Sequence, residues 1–242
     1  DPTRLQEAAY APLIATLRAN MLRAGALRID HVMGLARLWW VPAGCAPDAG
    51  AYVRYPLEDL LGIVALESHR ERCLVIGEDL GTVADELRRA LDANEVFSYR
   101  LVLFERNAAE FRAPADYPRR ALVAWSTHDL PTFTGWWREE DLATRTKLGL
   151  IEPDALEKER GERRAARGAL VAALRRESLV AEGANPDGPL TDEIALAVQA
   201  YAARTPAAVM VVQMEDVLEV AEQANLPGTV EQHPNWRRKL PL

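Results

Sequence analysis

Three carboxylates in this 242-residue sequence each follow a short apolar run: Asp30, Glu78 and Asp129. The apolar runs that precede them cover residues 26–29, 73–77 and 121–127. Runs of this length and composition are typical of buried parallel strands. Carboxylates at the ends of successive parallel strands converge on one face of a (β/α)8 barrel, the face where such barrels hold their active sites. The spacing therefore predicts an acidic site on a barrel.

A pair of carboxyl groups can transfer a sugar if one is ionised and the other is protonated. The ionised group attacks the anomeric carbon, and the protonated group gives its proton to the leaving oxygen. Arg28 stands two residues before Asp30, so both side chains lie on the same side of the strand. A positive charge there favours an ionised Asp30, as a nucleophile requires. No cation accompanies Glu78 in the local sequence, which suits an acid.

Two other interpretations of the acids have to be weighed. A metal hydrolase could take its ligands from Asp30, His31, Glu78, His128 and Asp129. Zinc and similar metals prefer several imidazoles, and the chain has four histidines with no H-x-H or H-x-x-x-H spacing. Alternatively, each acid caps a helix after a strand, which suits Asp79. Three acids at strand ends, with Arg28 and His128 beside them, favour a catalytic role.

Composition limits the class of protein. Hydrophobic residues make up 49% of the chain, enough for a large core, and the net charge is −7. That acidity argues against nucleic acid as a partner, since nucleic-acid binding needs a basic face. Two cysteines without a CxxC spacing exclude a disulfide scaffold and favour a reducing, cytoplasmic location. No run of about 18 apolar residues indicates a membrane span.

The order of elements indicates an α/β fold. Strand-like segments alternate with helical ones and cover residues 26–30, 73–77, 97–104, 121–127 and 207–212. A (β/α)8 barrel closes with eight strands. We therefore expect one domain over residues 1–242, the C-terminal portion of such a barrel with about five of its strands. The first three strands are expected upstream of Asp1, which makes the chain part of a longer protein.

Helical periodicity and capping residues predict the helices. They are expected at residues 3–24, 56–72, 82–91 with Thr82 as N-cap, 131–137, 191–203 with Thr191 as N-cap, and 216–224. The charge-rich residues 139–182 are typical of solvated helix faces. Trp39 and Trp40 precede an irregular loop, and they either pack in the core or stack on a sugar. The turn-rich tail after residue 224 is ordered only if it packs on something.

Five segments together resemble the 4-α-glucanotransferases, the amylomaltase or disproportionating-enzyme family. They are residues 27–31 (LRIDH), 50–56 (GAYVRYP), 76–81 (IGEDLG), 126–129 (STHD) and 225–238, which opens with NLPGT. Their order and spacing agree with the family. Residues 32–33 and 130–132 differ from the shorter members and look like the long bacterial type. The family's first barrel strands, the insertion that walls its cleft and its N-terminal domains lie outside this sequence.

The resemblance implies retaining transfer of an α-1,4-glucan segment from a donor maltodextrin to the 4-OH of an acceptor glucan or glucose. It implies no metal and no cofactor. By resemblance, Asp30 is the nucleophile, Glu78 the acid/base and Asp129 the transition-state stabiliser. The residues that the resemblance assigns to substrate binding are Arg28, His31, His128 and Asn225.

Two alternatives remain open at this point. An α-amylase-like hydrolase uses the same three acids with water as acceptor, and sequence spacing does not separate it from a transferase. A glucan-binding fragment leaves the acids idle because the cleft is incomplete. Five strands of an eight-strand barrel also expose unpaired edges, so we expect the isolated chain to self-associate or to pair with the missing N-terminal part.

Overall fold

The computed structural model describes residues 1–107 and 110–241, which form two compact units. The first unit contains Asp1–Tyr99 and Arg120–Leu122. The second contains Arg100–Arg119 and the chain from Val123 onward. The expectation of a single domain over the whole chain stays a prediction.

The helices and strands of the described residues alternate as the sequence pattern predicts. The helices are α1 (Pro2–Glu7), α2 (Ala11–Met21), α3 (Leu57–Glu71), α4 (Asp85–Ala93), α5 (Phe133–Arg138), α6 (Glu140–Lys147), α7 (Pro153–Arg176), α8 (Asp192–Ala203) and α9 (Met214–Val217). The strands are β1 (Ala26–Ile29), β2 (Arg37–Trp40), β3 (Ala51–Arg54), β4 (Leu74–Gly77), β5 (Phe97–Leu101), β6 (Ala121–Ala124) and β7 (Val209–Met210). In the part of the chain described, no helix is both long and apolar enough to cross a bilayer.

Five strands are hydrogen-bonded in the order β1-β4-β5-β6-β7. In the first unit β1 is parallel to β4, and β4 is parallel to β5. In the second unit, Val102 donates its backbone N–H to Ala124 O at 2.9 Å, and Val211 donates to Val123 O at 3.0 Å. A parallel sheet whose strands are linked by helices is part of a (β/α)8 barrel, so the predicted fold class is confirmed.

The first unit packs α2 and α3 against the start of the sheet. Leu17 and Met21 of α2 are buried with Leu61 and Val64 of α3. Glu67 of α3 is also buried. Its carboxylate accepts hydrogen bonds from Arg18 at 2.6 and 3.0 Å and from Arg70 at 2.9 Å. These charged hydrogen bonds satisfy a buried acid, as burial requires.

The helix predicted over residues 3–24 is divided in two. Ala9 and Tyr10 have φ angles of 48° and 59°, in the left-handed region that ends a right-handed helix. Pro12 then lies in the first turn of α2, where its missing N–H leaves no intrahelical bond unmade. The predicted N-cap Thr82 is wrong, because α4 begins at Asp85 behind Ala84. The predicted N-cap of α8, Thr191, is confirmed, since its side chain accepts the Ile194 N–H.

An antiparallel hairpin, β2–β3, was not predicted. In its register Arg37 lies opposite Arg54, and Trp39 lies opposite Tyr52. The Arg37 guanidinium stands 4.3 Å from the Tyr52 ring centroid. Trp39 and Trp40 are 46% and 42% exposed, so the core interpretation of these tryptophans is wrong. Stacking of either ring on a sugar stays a prediction.

The second unit has an aromatic core behind β6. Trp125, Phe133, Trp136 and Trp137 are all buried there, and Leu170 of α7 packs in the same core. The Trp125 ring meets the Phe133 ring edge-on, with centroids 4.9 Å apart. Such pairs contribute about 0.5–1.5 kcal/mol beyond their buried area. This core fixes α5, which follows the strand that leads to His128 and Asp129.

Asp216 of α9 is a buried acid whose stability contribution depends on pH. Its Oδ1 accepts the Phe133 N–H at 2.7 Å, and its Oδ2 has no hydrogen-bond partner among the described residues. Burial raises the pKa of Asp216 from 3.8 to about 6. Because the folded state holds this proton more tightly than the unfolded chain, stability falls as the pH rises from about 4 to about 6.

We predict that Asp216→Asn removes this loss of stability. The asparagine retains an oxygen that can accept the Phe133 N–H but carries no charge. The free energy of unfolding of the variant, measured between pH 4 and 8, should fall less steeply than that of the unsubstituted protein. Asp154→Asn, an exposed position on α7, is the control. Parallel profiles for the Asp216 variant and the unsubstituted protein contradict the prediction.

Candidate active site

Asp30 stands directly after β1, where Arg28 holds its carboxylate. The Arg28 Nη2 lies 2.7 Å from Asp30 Oδ1, so the ion pair expected from the sequence is present. The Arg28 guanidinium also lies 5.4 Å from the ring centroid of buried Tyr99 on β5. Burial raises the pKa of Tyr99 above its ordinary value, while the nearby Arg28 opposes that shift. The Asp30 side chain is 76% exposed and therefore open to a reactant.

Glu78 stands at the matching position after β4. Ile29 pairs with Gly77 in the β1–β4 register, and the backbone bonds continue one step further. Glu78 donates its N–H to Ile29 O at 2.9 Å, and Val32 donates its N–H to Glu78 O at 3.1 Å. Both acids are therefore fixed at the ends of neighbouring strands, whose axes lie ~4.8 Å apart in a sheet.

The Glu78 carboxylate is oriented by two backbone groups. Its Oε2 accepts the His31 N–H at 3.0 Å, and its Oε1 accepts the Leu80 N–H at 2.8 Å. The first donor is the peptide group that follows Asp30. Thus the two acids, which are 48 residues apart in sequence, share one hydrogen-bonded connection.

Backbone geometry explains how this connection forms. His31 has a φ of 46°, in the left-handed region, which turns the chain sharply after Asp30. Such a conformation is strained for a residue with a side chain and is often found at functional sites. Gly77 lies against the next residue, because a Cβ on it would stand 3.0 Å from the Val32 side chain. Glycine at the end of β4 therefore permits the close approach of the two chain segments.

A cleft of about 390 Å³ opens beside His31 in the first unit. Its walls include Tyr52 and Arg54 from the hairpin, Tyr55 after it, and Thr82 before α4. Aromatic rings and hydrogen-bonding side chains are suited to a polar ligand that has apolar faces. The hairpin that the sequence did not predict thus forms a wall next to a predicted site residue.

His128 and Asp129 form the second part of the site, in the second unit. His128 Nε2 lies 3.3 Å from Asp129 Oδ2. Asn225 donates from Nδ2 to Asp129 Oδ1 at 2.6 Å, and its backbone N–H donates to His128 O at 3.2 Å. The structure therefore brings these three predicted residues together, although Asn225 is 96 positions from Asp129.

The tail after residue 224 is ordered because it packs on this part of the second unit. His233 is buried, and its Nε2 lies 3.2 Å from Gln223 O. Asn235 Oδ1 accepts the Leu226 N–H at 2.9 Å. Trp236 places its ring 5.0 Å from the His128 ring, centroid to centroid. The tail thereby adds an exposed aromatic ring beside His128.

Asp79 has a structural position, in line with the alternative considered for it. Its carboxylate is buried, and Oδ1 accepts the Tyr99 N–H of β5 at 2.9 Å. Arg88 of α4 lies 3.7 Å from Oδ2. The side chain therefore links β4, β5 and α4 rather than capping the helix.

The predicted site residues fall into two groups, one in each unit. Arg28, Asp30, His31 and Glu78 are connected in the first group. His128, Asp129 and Asn225 are connected in the second. Sequence reasoning missed three further residues at the site, namely Tyr99, Gly77 and Trp236. The glycine before Glu78 was a usable signal, whereas the contacts of the two aromatic residues depend on tertiary structure.

Comparisons with known proteins agree with the motifs. The sequence model of a family described as 4-alpha-glucanotransferase matches residues 1–242. A 4-alpha-glucanotransferase of Haemophilus influenzae is 40% identical over 243 residues, which is 99% of this chain and 35% of that protein. One from Mycobacterium tuberculosis H37Rv is 40% identical over 244 residues, 99% of this chain and 33% of that protein. The chain spans about a third of the length of these relatives.

Two solved structures resemble the chain. The crystal structure of an amylomaltase from Corynebacterium glutamicum superposes with a TM-score of 0.89 at 31% identity, over 99% of this chain and 35% of that one. An amylomaltase from Streptococcus agalactiae in complex with acarbose has a TM-score of 0.70 at 17% identity, over 98% of this chain and 41% of that one. At that identity the second likeness concerns the fold alone.

Proposed function

The chain belongs to the 4-α-glucanotransferase family, and we propose that it is the part of a longer enzyme that carries the catalytic acids. The observation that carries this proposal is the hydrogen bond from His31 N–H to Glu78 Oε2. It links the ends of two adjacent strands, each of which bears one acid. Adjacent strands lie ~4.8 Å apart, which suits the ~5–5.5 Å separation of the two carboxyl groups in retaining enzymes.

In the proposed first step, the Asp30 carboxylate attacks the anomeric carbon of the donor glucan. A bond forms between Asp30 and that carbon while the glycosidic C–O bond breaks. Glu78 gives its proton to the departing O4. The Arg28 ion pair supports this role for Asp30, because the positive charge favours the ionised nucleophile and holds it in one orientation.

In the proposed second step, the 4-OH of an acceptor glucan or glucose attacks the same carbon. Glu78 takes the proton from that hydroxyl, and the bond to Asp30 breaks. The anomeric configuration is therefore retained after two displacements. We propose α-1,4-glucans as donor and acceptor, and no metal or cofactor has a part in these steps.

We propose that Asp129 stabilises the positive charge that develops on the sugar in each transition state. Asn225 and His128 support this role because each places a nitrogen beside a different carboxylate oxygen of Asp129. His128 and Asn225, with Arg28 and His31, are the proposed substrate-binding residues. A cytoplasmic location, where such glucans are metabolised, remains part of the proposal.

The alternatives differ in their products. An α-amylase-like hydrolase with the same acids transfers to water and yields only shorter products from maltotriose. A transferase yields glucose together with a ladder of longer maltodextrins. Incubation of the longer protein with maltotriose, followed by chromatography of the products, decides between them. A chain that only binds glucan gives neither pattern.

Asp30→Asn in the longer protein should reduce the rate of transfer by about 10³-fold or more, because the amide is a poor nucleophile. The expected fold is unchanged, since Asp30 is exposed and contacts Arg28 at the surface. Initial rates with maltotriose measure the effect, and circular dichroism checks the fold. Asp154→Asn serves as the control. Turnover of Asp30→Asn within a few-fold of the unsubstituted enzyme contradicts the assignment.

Glu78→Gln should separate donors by their leaving groups. The glutamine cannot give a proton, so turnover of maltotriose should fall by about 10²–10⁴-fold. A maltosyl fluoride donor needs no proton on its leaving group, so its first step should be much less affected. Release of fluoride measures that step. If both donors slow equally, Glu78 is not the acid.

The isolated 242-residue chain should show little or no transfer and should self-associate or pair with the remaining part of the barrel. β1 and β7 are the edges of the described sheet. Several large apolar side chains near β7 are exposed, namely Val211, Met214 and Val217. Exposed edges and apolar patches favour association. Light scattering after size exclusion, with a maltotriose assay, measures both; a fully active monomer contradicts this expectation.

A further inference from the structure

Gly135 of α5 lies in direct contact with a distant backbone segment. A Cβ on Gly135 would stand 2.1 Å from the carbonyl oxygen of Ala221, whereas an ordinary contact is 3.4–4 Å. The obstructing atom belongs to the backbone, so it cannot turn aside as a flexible side chain can. Glycine at this position therefore lets the segment around residue 221 lie against the first turn of α5.

Thr132 fixes the same segment by hydrogen bonding. Its side chain is buried, and Oγ1 accepts the Gly135 N–H at 3.0 Å. The hydroxyl lies 2.7 Å from Val220 O and 3.2 Å from Ala221 O, and it donates its proton to one of them. One helical turn thus sets the position of two consecutive carbonyl groups.

The fixed segment leads directly to Asn225. Gln223 donates from Nε2 to Asn225 O at 2.6 Å, which stiffens the backbone between residue 221 and the asparagine. Asn225 in turn donates through its backbone to His128 O and through its side chain to Asp129 Oδ1. A displacement at Ala221 is therefore carried within four residues to the amide that holds the Asp129 carboxylate.

We propose that Gly135 and Thr132 are positioning residues for Asp129, acting through Asn225. They do not touch the carboxylate. They set the depth at which residues 220–225 lie on α5, and that depth determines whether the Asn225 amide reaches Asp129. The effect of this placement on catalysis rests on the role of Asp129 in the proposed function.

Gly135→Ala should displace the segment by at least about 1 Å to restore an ordinary contact. A misplacement of that size can reduce catalysis by about 100-fold. Because the stabiliser rather than a ground-state contact is disturbed, kcat should fall and KM should change by less than about threefold. Gly168→Ala is the matched control. Gly168 is also helical and lies in the same unit, and a Cβ added to it would meet no described atom within 4 Å.

The test is a double-mutant cycle in the longer protein, using Gly135→Ala, Asn225→Ala and the two combined. If Gly135 acts through Asn225, the combined variant should be no slower than Asn225→Ala alone. A combined loss equal to the product of the two single losses overturns the proposal. Thr132→Ser should retain most of the activity, and Thr132→Val should lose it; equal activity of the two also overturns the proposal.

A crystal structure of Thr132→Val or Gly135→Ala supplies a readout that does not depend on activity. The proposal requires that the hydrogen bond between Asn225 Nδ2 and Asp129 Oδ1 be broken or lengthened in the variant. An unchanged bond overturns it. If the unsubstituted longer protein gives no maltodextrin ladder, the proposed function fails, while this structural comparison still decides whether the two residues position Asp129.

Discussion

The parallel pairing of β1 with β4 is the constraint on which the first group of site residues depends. Its register places Asp30 and Glu78 at equivalent positions, one residue beyond Ile29 and Gly77. Because side chains alternate along a strand, a slip of one residue would turn either acid to the opposite face. The backbone bond from Glu78 N–H to Ile29 O extends the pairing past the last strand residue and prevents that slip.

The second group depends on packing rather than on strand register. Asp129 follows a strand whose side chains are all buried, and the helix after it is anchored by Trp136 and Trp137 in the aromatic core. Asn225 comes from an irregular segment with little periodic structure of its own. Such a segment is precise only where a rigid element holds it, and α5 provides that support.

Local sequence signals predicted the strands, the acids and the Arg28–Asp30 ion pair, because each depends on residues close together in the chain. The β2–β3 hairpin was missed because its strands are separated by a ten-residue loop without a short turn signal. The break at Ala9 and Tyr10 was missed because neither residue is a glycine or proline. The stacking of Trp236 beside His128 and the role of Gly135 depend on tertiary contacts, which no local pattern specifies.

The 96-residue separation of Asp129 and Asn225 has a consequence for how the chain is made. A ribosome that adds roughly 5–20 residues per second needs about 5–20 s to travel that distance. During this interval Asp129 has left the ribosome without the amide that will hold it, while the aromatic core beside it is already being completed. The order of synthesis therefore builds the scaffold first and orients the carboxylate last.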